Sequence, residues 1–251
     1  MQQGIDSARR DPLLKRFELR RLRLPVGGQM LNLVIPDSAS WRRRGLWVDT
    51  VRRGGEPPYW SRIWPASVAV ARLLLFGPAL DGQAVCDLGC GLGVPAAAAM
   101  RRGANVTLVD QDADALAFAA FNARRQGDGR VAALRLDWSR ETVSDAFAVM
   151  LLADVTYREV HHAPILRQLE AGLVAGGVVL HADPYRSESS TFLRRLGQAF
   201  AVATTEQTVA VEDGGDRLTI RSCVAARDAA RLDAWIASSS PRWQWRRGGV
   251  P

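Results

Sequence analysis

The chain contains 251 residues, of which 47% are hydrophobic and 24% are charged, as is usual for a globular protein with a sizeable core. No stretch reaches the roughly 18 apolar residues of a membrane helix, and the first thirty residues lack the apolar core of a secretion signal. The net charge of +7 comes almost entirely from arginine, and the longest basic run, at 42–44, has no interleaved aromatic residues. These features argue against a membrane protein and give no specific nucleic-acid signal, so we expect a cytoplasmic location.

The cysteine content argues against a disulfide framework or a metal site. Cys86, Cys90 and Cys223 are odd in number and do not show paired spacings. Cys86 and Cys90 are close in the chain, but a zinc site would need a second pair of ligands. We therefore expect reduced, buried thiols and no metal.

The first 63 residues are expected to precede the core. Residues 1–16 are polar and predict a loosely held arm. Alternating apolar and charged residues at 17–24 and an apolar run at 30–35 flank a turn at 25–28, which predicts a β-hairpin. Residues 37–58 are rich in Arg, Gly, Pro and Asp and predict a loop.

Residues 64–226 alternate between helical and extended patterns, which predicts an α/β fold. The predicted helices are 65–75, 95–102, 113–126, 162–172 and 190–200, and the predicted strands are 84–88, 105–110, 131–136, 146–152, 177–181, 204–211 and 218–225. This order indicates a doubly wound, Rossmann-like sheet of seven strands, mostly parallel. A Gly-Gly turn joins the last two runs, so the last strand should be antiparallel. Residues 227–251 form a C-terminal tail with three tryptophans.

A glycine-rich turn follows the first strand of this core, at the edge where open parallel sheets bind ligands. It reads Asp87-Leu88-Gly89-Cys90-Gly91-Leu92-Gly93, and its glycines let the backbone approach a ligand beside the free amides of the next helix. A dinucleotide motif would need a glycine where Val94 stands, and a carboxylate before the turn suits the ammonium of a methionine moiety better than a pyrophosphate. The spacing favours S-adenosylmethionine over NAD as the cofactor. The candidate binding residues of this turn are Asp87, Gly89, Cys90, Gly91 and Gly93.

The ends of the next two strands carry further candidates for donor binding. Asp110 ends the second strand, from where a carboxylate can bind both ribose hydroxyls, and Gln111 follows it. Asp112 is better placed to cap the next helix. Asp137 and Trp138 follow the third strand, where they could bind and cover an adenine ring. A turn aspartate beside a core tryptophan is the other interpretation of that pair.

Three segments together resemble a known family. They are the glycine turn, Asp154-Val155-Thr156-Tyr157 after the fourth strand, and Tyr59-Trp60-Ser61-Arg62-Ile63-Trp64-Pro65 before the core. They resemble the family 16 methyltransferases, the seven-β-strand protein-lysine methyltransferases. The closest likeness is to the group that modifies the electron-transfer flavoprotein β subunit and to bacterial relatives described as nicotinamide N-methylase-like. The resemblance covers residues 57–225.

The resemblance implies roles for individual residues. Asp154 and Tyr157 would lie beside the methyl-acceptor pocket as catalytic residues, and Trp60 and Trp64 would lie along the donor pocket. Asp183-Pro184-Tyr185-Arg186 resembles a family segment after the fifth strand. The alternative interpretation of Asp154 is a turn or cap residue, and Tyr157 by itself would be interpreted as a packing residue.

Two adjacent histidines follow this motif. His161 and His162 stand at the start of a predicted helix. Adjacent histidines in that position are usually solvated, so we expect both to lie outside the site.

These observations predict an S-adenosylmethionine-dependent N-methyltransferase that transfers the methyl group by in-line displacement without a metal. The resemblance favours a protein-lysine substrate. The alternatives are a small-molecule N-methyltransferase acting on a nicotinamide-like or amine substrate, and a non-catalytic protein that binds S-adenosylmethionine. A wide rim formed by the hairpin and residues 41–58 would favour a protein substrate, and a sealing lid would favour a small one.

Overall fold

The computed structural model describes residues 11–12, 14–37, 52, 57–144, 146–210 and 216–248. Its strands are β1 Leu19–Val26, β2 Gln29–Pro36, β3 Ala84–Leu88, β4 Asn105–Asp110, β5 Val131–Arg135, β6 Phe147–Ala153, β7 Leu173–Asp183, β8 Ala201–Ala210, β9 Arg217–Ala226 and β10 Arg246–Arg247. Its α-helices are α1 Pro65–Leu75, α2 Val94–Arg101, α3 Ala113–Arg124, α4 His162–Gly172, α5 Ser187–Leu196 and α6 Ala229–Ala237.

The main sheet has the doubly wound order that the alternating pattern predicts. Its strands lie in the order β10-β8-β9-β7-β6-β3-β4-β5. Strands β5, β4, β3, β6 and β7 are mutually parallel, whereas β9 runs antiparallel to both β7 and β8. The chain order reverses between β3 and β6, so the carboxyl ends of these strands form a crevice of the kind that binds ligands in such sheets. The seven predicted strands are confirmed, and β10 adds a short eighth one.

Local sequence signals explain where the helices of the core begin. Asp112 caps α3 because its side chain accepts the N–H of Asp114 at 2.8 Å, as expected. Gly93 has a φ of 74° immediately before α2, and Pro95 stands in the first turn, where a missing N–H is tolerated. The alanines of α2 are fully buried, so this short helix can lie close to the sheet and to its neighbours.

The N-terminal hairpin is confirmed, and side chains of the core anchor it. Strands β1 and β2 pair from Leu19 with Pro36 to Val26 with Gln29. Asn122 of α3 accepts the N–H of Val34 and donates to its carbonyl, at 2.8 and 3.1 Å. These bonds satisfy backbone groups of β2 that no neighbouring strand pairs, and so hold the hairpin on α3.

The end of the N-terminal arm is held in place, contrary to expectation. Leu14 is fully buried in the main core cluster. Arg16 forms an ion pair with Asp114, and the ring of Phe17 packs edge-on against Phe118. Apolar burial at Leu14 explains why the polar composition misled us for residues 14–16, while residues 1–10 lie outside the described part of the chain.

The C-terminal tail packs against the sheet. Helix α6 contacts β7, β8 and β9, and Asp228 caps it by accepting the N–H of Ala230. Trp235 is buried, and Trp243 and Trp245 pack partly buried against the main core cluster. The three tryptophans therefore contribute to the core. Of the predicted loop at 37–58, only 37, 52, 57 and 58 are described, and the predicted turn at 213–216 is described only at 216.

Within the described residues, no helix is both long and apolar enough to cross a membrane. In the same part of the chain, no cluster of three or more His, Cys, Asp or Glu side chains has the arrangement of a metal site. The three cysteines are buried and form no disulfide there.

Candidate active site

The glycine turn between β3 and α2 bends back over the end of β4. Gly89, Gly91 and Gly93 have φ values of 73°, 50° and 74°, a region that strongly favours glycine. The N–H groups of Gly89 and Cys90 both donate to the carbonyl of Val109, at 2.8 and 3.1 Å. These bonds fix the turn at the carboxyl edge of the sheet.

The residues of this turn divide into those that line the cleft and those that support it. Gly89 and Gly91 line the cleft. A Cβ at Gly93 would lie 2.7 Å from the Cα of Ala119, so Gly93 allows α2 and α3 to pack closely. The side chain of Cys90 is buried. Neither Cys90 nor Gly93 lines the cleft, so both support the turn from behind.

The two carboxylates at the strand tips have different environments. Asp87 is almost fully buried behind the turn, where its Oδ2 accepts the N–H of Ala96 in the first turn of α2, at 3.1 Å. Burial raises the pKa of Asp87 to about 8. Asp110 lines the cleft, and it accepts the N–H groups of Gly91 and Asp112 at 3.1 and 3.0 Å. Burial also raises the pKa of Asp110.

The segments after β4 and β5 form another part of the cleft wall. Gln111 follows β4, Asp137 and Trp138 follow β5, and all three line the cleft. The carboxylate of Asp137 accepts the N–H and the hydroxyl of Ser139, at 2.9 and 2.6 Å, and these bonds lower its pKa. Asp137 is therefore a turn residue in its local bonding, as one of our two interpretations held, while its exposed carboxylate faces the cleft. The indole N–H of Trp138 donates to Nδ1 of His161 at 3.1 Å.

Aromatic side chains surround the opposite part of the cleft. The ring centroid of Tyr59 lies 6.2 Å from that of Trp64 and 6.3 Å from that of Tyr157. Trp60 packs against Phe118, and its backbone lies over the glycine turn, 3.4 Å from where a Cβ of Gly91 would be. The structure thus brings Trp60, Trp64 and Tyr157 together around one cleft, as the resemblance implies.

Asp154 lies at the tip of β6 in a strained conformation. Its φ is 54°, and its N–H donates to the carbonyl of Ala182. Its carboxylate is largely buried and accepts two hydrogen bonds from Arg186, with Nε at 2.8 Å and Nη2 at 3.1 Å. Burial raises the pKa of Asp154, and the bonds from Arg186 oppose this effect. The carboxylate that the resemblance places beside the methyl-acceptor pocket is therefore already paired with a cation.

A buried polar network lies below the two loops that carry Asp154 and Arg186. The hydroxyl of Thr156 lies 2.9 Å from both His181 Nε2 and Ser189 Oγ. Asp183 forms a fully buried bidentate ion pair with Arg221, at 3.0 and 2.9 Å. The network connects the loop after β6 to the loop after β7. It therefore holds Asp154 and Tyr157 of the first loop in a fixed position relative to Arg186 of the second.

Sequence reasoning left several cleft residues without a role, and it was wrong about the burial of His162. His161, Tyr59 and Arg186 line the cleft, although we expected His161 outside the site and assigned no role to the other two. His162 was expected to be solvated but is fully buried, with Nε2 3.0 Å from the carbonyl of Thr156. Tyr157 precedes the short 3-10 helix at Glu159–His161 instead of sharing a helical turn with His161, so no periodic spacing indicated that their ring centroids lie 6.2 Å apart.

The cleft has a volume of about 1630 Å³, and its walls include both the residues of the glycine turn and the residues around Asp154. Small-molecule pockets usually measure about 300–1000 Å³. The cleft is therefore large enough for a nucleoside ligand and for a second group entering from the acceptor side.

Comparison with known proteins identifies the family. Residues 80–228 match the family described as "Methyltransferase domain". The chain is 30% identical over 173 residues to the electron transfer flavoprotein beta subunit lysine methyltransferase of Xenopus laevis, covering 56% of this chain and 68% of that protein. It is 32% identical over 149 residues to the protein N-lysine methyltransferase METTL21A of Danio rerio, with the same coverage of 56% and 68%.

Solved structures support the same fold. The N-methyltransferase NodS of Bradyrhizobium japonicum in complex with S-adenosyl-L-homocysteine superimposes with a TM-score of 0.52 at 14% identity, covering 64% of this chain and 86% of that one. The chain therefore belongs to the methyltransferase-domain family and is a class I methyltransferase that uses S-adenosylmethionine, related to protein-lysine methyltransferases.

Proposed function

We propose that this enzyme transfers a methyl group from S-adenosylmethionine to the ε-amine of a lysine on a protein. The observation that carries the proposal is the acceptor side of the cleft, where the Asp154 carboxylate lies with the rings of Tyr157 and Tyr59. Trp64, which the resemblance places along the donor pocket, packs against Tyr59 at its edge. A carboxylate with aromatic rings is the usual environment for an amine that becomes a larger cation. The names of the relatives agree with a lysine acceptor.

The donor side fits an adenosyl group through its glycines and its carboxylate. A Cβ at Gly89 would enter the space between Val155 and Trp138, 2.6 and 3.2 Å away, so only glycine leaves this part of the wall open. Asp110 accepts backbone N–H groups on both oxygens, among them those of Gly91 and Asp112, and it lines the cleft, where a remaining lone pair would accept a ribose hydroxyl. We assign Gln111, Asp137 and Trp138 to the adenosine end and Asp87, through the turn, to the methionine end.

The acceptor side would align the amine and stabilise its charge. When bound, S-adenosylmethionine supplies an electrophilic methyl group on a sulfonium. The amine must be neutral to attack, so its proton has to leave before or during the transfer. Asp154 is the carboxylate placed to hold the ammonium, and Tyr157 can orient the nitrogen through its hydroxyl and ring face. The aromatic wall excludes water, which strengthens these interactions.

The cleft has room for the donor together with an acceptor group. Its volume of about 1630 Å³ exceeds the usual range of pockets that hold one small molecule. The residues at 41–56 that we expected to contribute to the rim are not described, apart from Arg52.

Radiolabelled methyl transfer tests the proposal. The purified enzyme is incubated with methyl-labelled S-adenosylmethionine and either electron transfer flavoprotein or a bacterial lysate, and labelled proteins are located by peptide mass spectrometry. We expect label on lysine. Label that appears in small metabolites, and on no protein, would overturn the lysine assignment in favour of a small-molecule N-methyltransferase.

Substitution of the acceptor carboxylate tests the site. Asp154→Asn should lower kcat at least about 100-fold, because it removes the charge that holds the amine, while S-adenosylhomocysteine still binds. Asp228→Asn is the matched control, since asparagine caps a helix as well as aspartate and Asp228 lies on α6. Equal loss of donor binding and turnover in Asp154→Asn would contradict the division of the cleft into two sides.

A further inference from the structure

The acceptor side of the cleft is electrically balanced before any substrate enters. Asp154 is paired with Arg186, and Asp183 is paired with Arg221. An incoming ammonium therefore meets no unpaired carboxylate from these two loops. It would add a positive charge beside a guanidinium unless that guanidinium moved.

The contacts of Arg186 are the ones that a substrate amine would need. Its guanidinium donates two hydrogen bonds to Asp154 and lies 5.9 Å from the ring centroid of Tyr157. A lysine side chain bound for methylation would contact the same carboxylate and the same ring. The guanidinium of Arg186 thus occupies the position that the ammonium group of the acceptor would take.

The surroundings of Arg186 allow this side chain to leave while its backbone stays. Its N–H donates to Asp183 at 3.1 Å, and the preceding Tyr185 has a φ of 59°, so the turn that carries Arg186 is well defined. The Arg186 side chain is 38% exposed, whereas the side chain of Asp154 is only 6% exposed. The guanidinium can therefore exchange Asp154 for water, but the carboxylate cannot turn outward as easily.

We propose that Arg186 is a specificity-determining residue that competes with the substrate amine for Asp154. This inference rests on the acceptor site of the proposed function. A small free amine offers only its charge and cannot displace a bidentate guanidinium efficiently. A lysine on a protein surface brings additional contacts at the rim and can displace it. Arg186 thereby selects protein-bound lysine against the free amines of the cell.

A role for Arg186 in positioning Asp154 predicts the opposite change in amine binding. If Arg186 only positioned Asp154, removing the guanidinium would disorder the carboxylate and weaken amine binding. If Arg186 competes, removing it exposes a preformed carboxylate, and small amines bind more tightly. The direction of the change therefore separates the two roles.

Calorimetry with n-butylammonium chloride measures this direction. The amine is titrated into the enzyme saturated with S-adenosylhomocysteine, and we expect Arg186→Met to bind it about tenfold more tightly than the wild type, as one charge-assisted contact in a partly exposed site allows. The gain should disappear when Asp154→Asn is added. Arg186→Lys, which can still pair with Asp154, should bind the amine much as the wild type does.

The matched control is Arg195→Met. Arg195 is 39% exposed and pairs with Glu159, so the substitution removes an equally exposed guanidinium from another carboxylate. It should leave amine binding unchanged. Equal or weaker amine binding by Arg186→Met, or an equal gain in Arg195→Met, would overturn the inference.

The experiment also separates this inference from the proposed function. Binding of S-adenosylhomocysteine is measured first, in the same cell and without the amine, for every variant. An amine gain in Arg186→Met without any labelled lysine in protein would leave the competition standing and remove the lysine substrate. Labelled lysine in protein without tighter amine binding by Arg186→Met would leave the lysine substrate standing and remove the competition. Should Arg186→Met fail to fold, Arg186→Gln must show the same gain.

Discussion

The proposed donor and acceptor sides of the cleft are built in different ways. The side that we assign to the donor consists of residues 87–93, 110–111 and 137–138, and its shape comes from a turn of the backbone held by bonds to β4. The side that we assign to the acceptor consists of residues 154–157 and 183–186, and its shape comes from paired charges. In the described part of the chain, the non-glycine residues with positive φ are Asp154 and Tyr185, one in each acceptor loop. Glycine relieves strain on the donor side, whereas the acceptor side retains strain that its buried network must hold.

The largest expected effect comes from breaking the buried ion pair below the acceptor loops. Arg221→Met leaves Asp183 unpaired in the core, where their side chains are 2% and 0% exposed. An uncompensated buried charge should lower the free energy of unfolding by about 3–5 kcal/mol. Urea denaturation measures it, with Arg195→Met as the surface control, for which we expect less than about 1 kcal/mol. Similar losses in both variants would mean that burial does not govern the acceptor scaffold.

The next effect distinguishes two glycines of the donor turn. Gly93→Ala places a Cβ 2.7 Å from the backbone of Ala119 as well as straining φ, so it should cost about 2–4 kcal/mol of stability. Gly91→Ala strains φ, but its nearest neighbour would be the Trp60 carbonyl oxygen at 3.4 Å, so about 1–2 kcal/mol is expected. The reverse order in urea denaturation would contradict the supporting role of Gly93.

A smaller effect tests donor binding at Asp110. Asp110→Asn replaces a carboxylate oxygen with an amide that cannot accept, so one backbone N–H or one ribose hydroxyl loses its acceptor. The affinity for S-adenosylhomocysteine should fall by about 10- to 100-fold, which is typical of a lost hydrogen bond to a charged group. Calorimetry measures this change, and Asp228→Asn, which keeps the cap of α6 outside the cleft, is the control. Unchanged affinity in Asp110→Asn would remove Asp110 from the donor site.

The effects of pH are the smallest when they are counted per pH unit, and they have opposite signs on the two sides. Burial raises the pKa of Asp87 from its usual 3.8 to about 8, so the neutral acid stabilises the ligand-free fold below pH 3.8 and this stabilisation is lost as pH rises towards 8. Relative to the wild type, Asp87→Asn should therefore gain stability from pH 5 to 8, by at most about 1.4 kcal/mol per pH unit. Urea denaturation at each pH measures it, and parallel curves for the two proteins would contradict it.

On the acceptor side, burial lowers the pKa of His181 from 6.5 to about 4. The neutral imidazole therefore contributes stability above pH 6.5, and this contribution is lost as pH falls towards 4. Asparagine does not titrate, so His181→Asn lacks this pH-dependent loss. The free energy of unfolding of the wild type should therefore fall relative to that of the variant from pH 6.5 to 4, by at most about 1.4 kcal/mol per pH unit. A constant difference across that range would show that His181 is not buried as a neutral group.

The sequence predicted the donor side more fully than the acceptor side. Asp87, Gly89, Gly91 and Gly93 are close in the chain, so their spacing alone describes a turn after a strand. Asp110 was predicted at the same edge of the sheet because it ends the second strand of the core. Which glycine faces the cleft and which one packs against α3 was not predictable, because that depends on the distance to Ala119.

The acceptor side could be located but not assembled from the sequence. The resemblance identified Asp154 and Tyr157, yet the pairing of Asp154 with Arg186 joins residues 32 positions apart. The burial of His162 and the contact of His161 with Trp138 depend on how α4 packs beside the end of β5. Polar residues with several possible partners carry no periodic signal that tells which partner they find.

The sequence by itself determined the α/β alternation, the glycine turn, the hairpins and the identity of the carboxylates at the strand tips, because each depends on residues that are neighbours in the chain or follow a regular period. The tertiary structure alone decided which charges are paired, which residues line the cleft and how the tail packs, because burial and pairing depend on distances between segments that the chain brings together only when it folds.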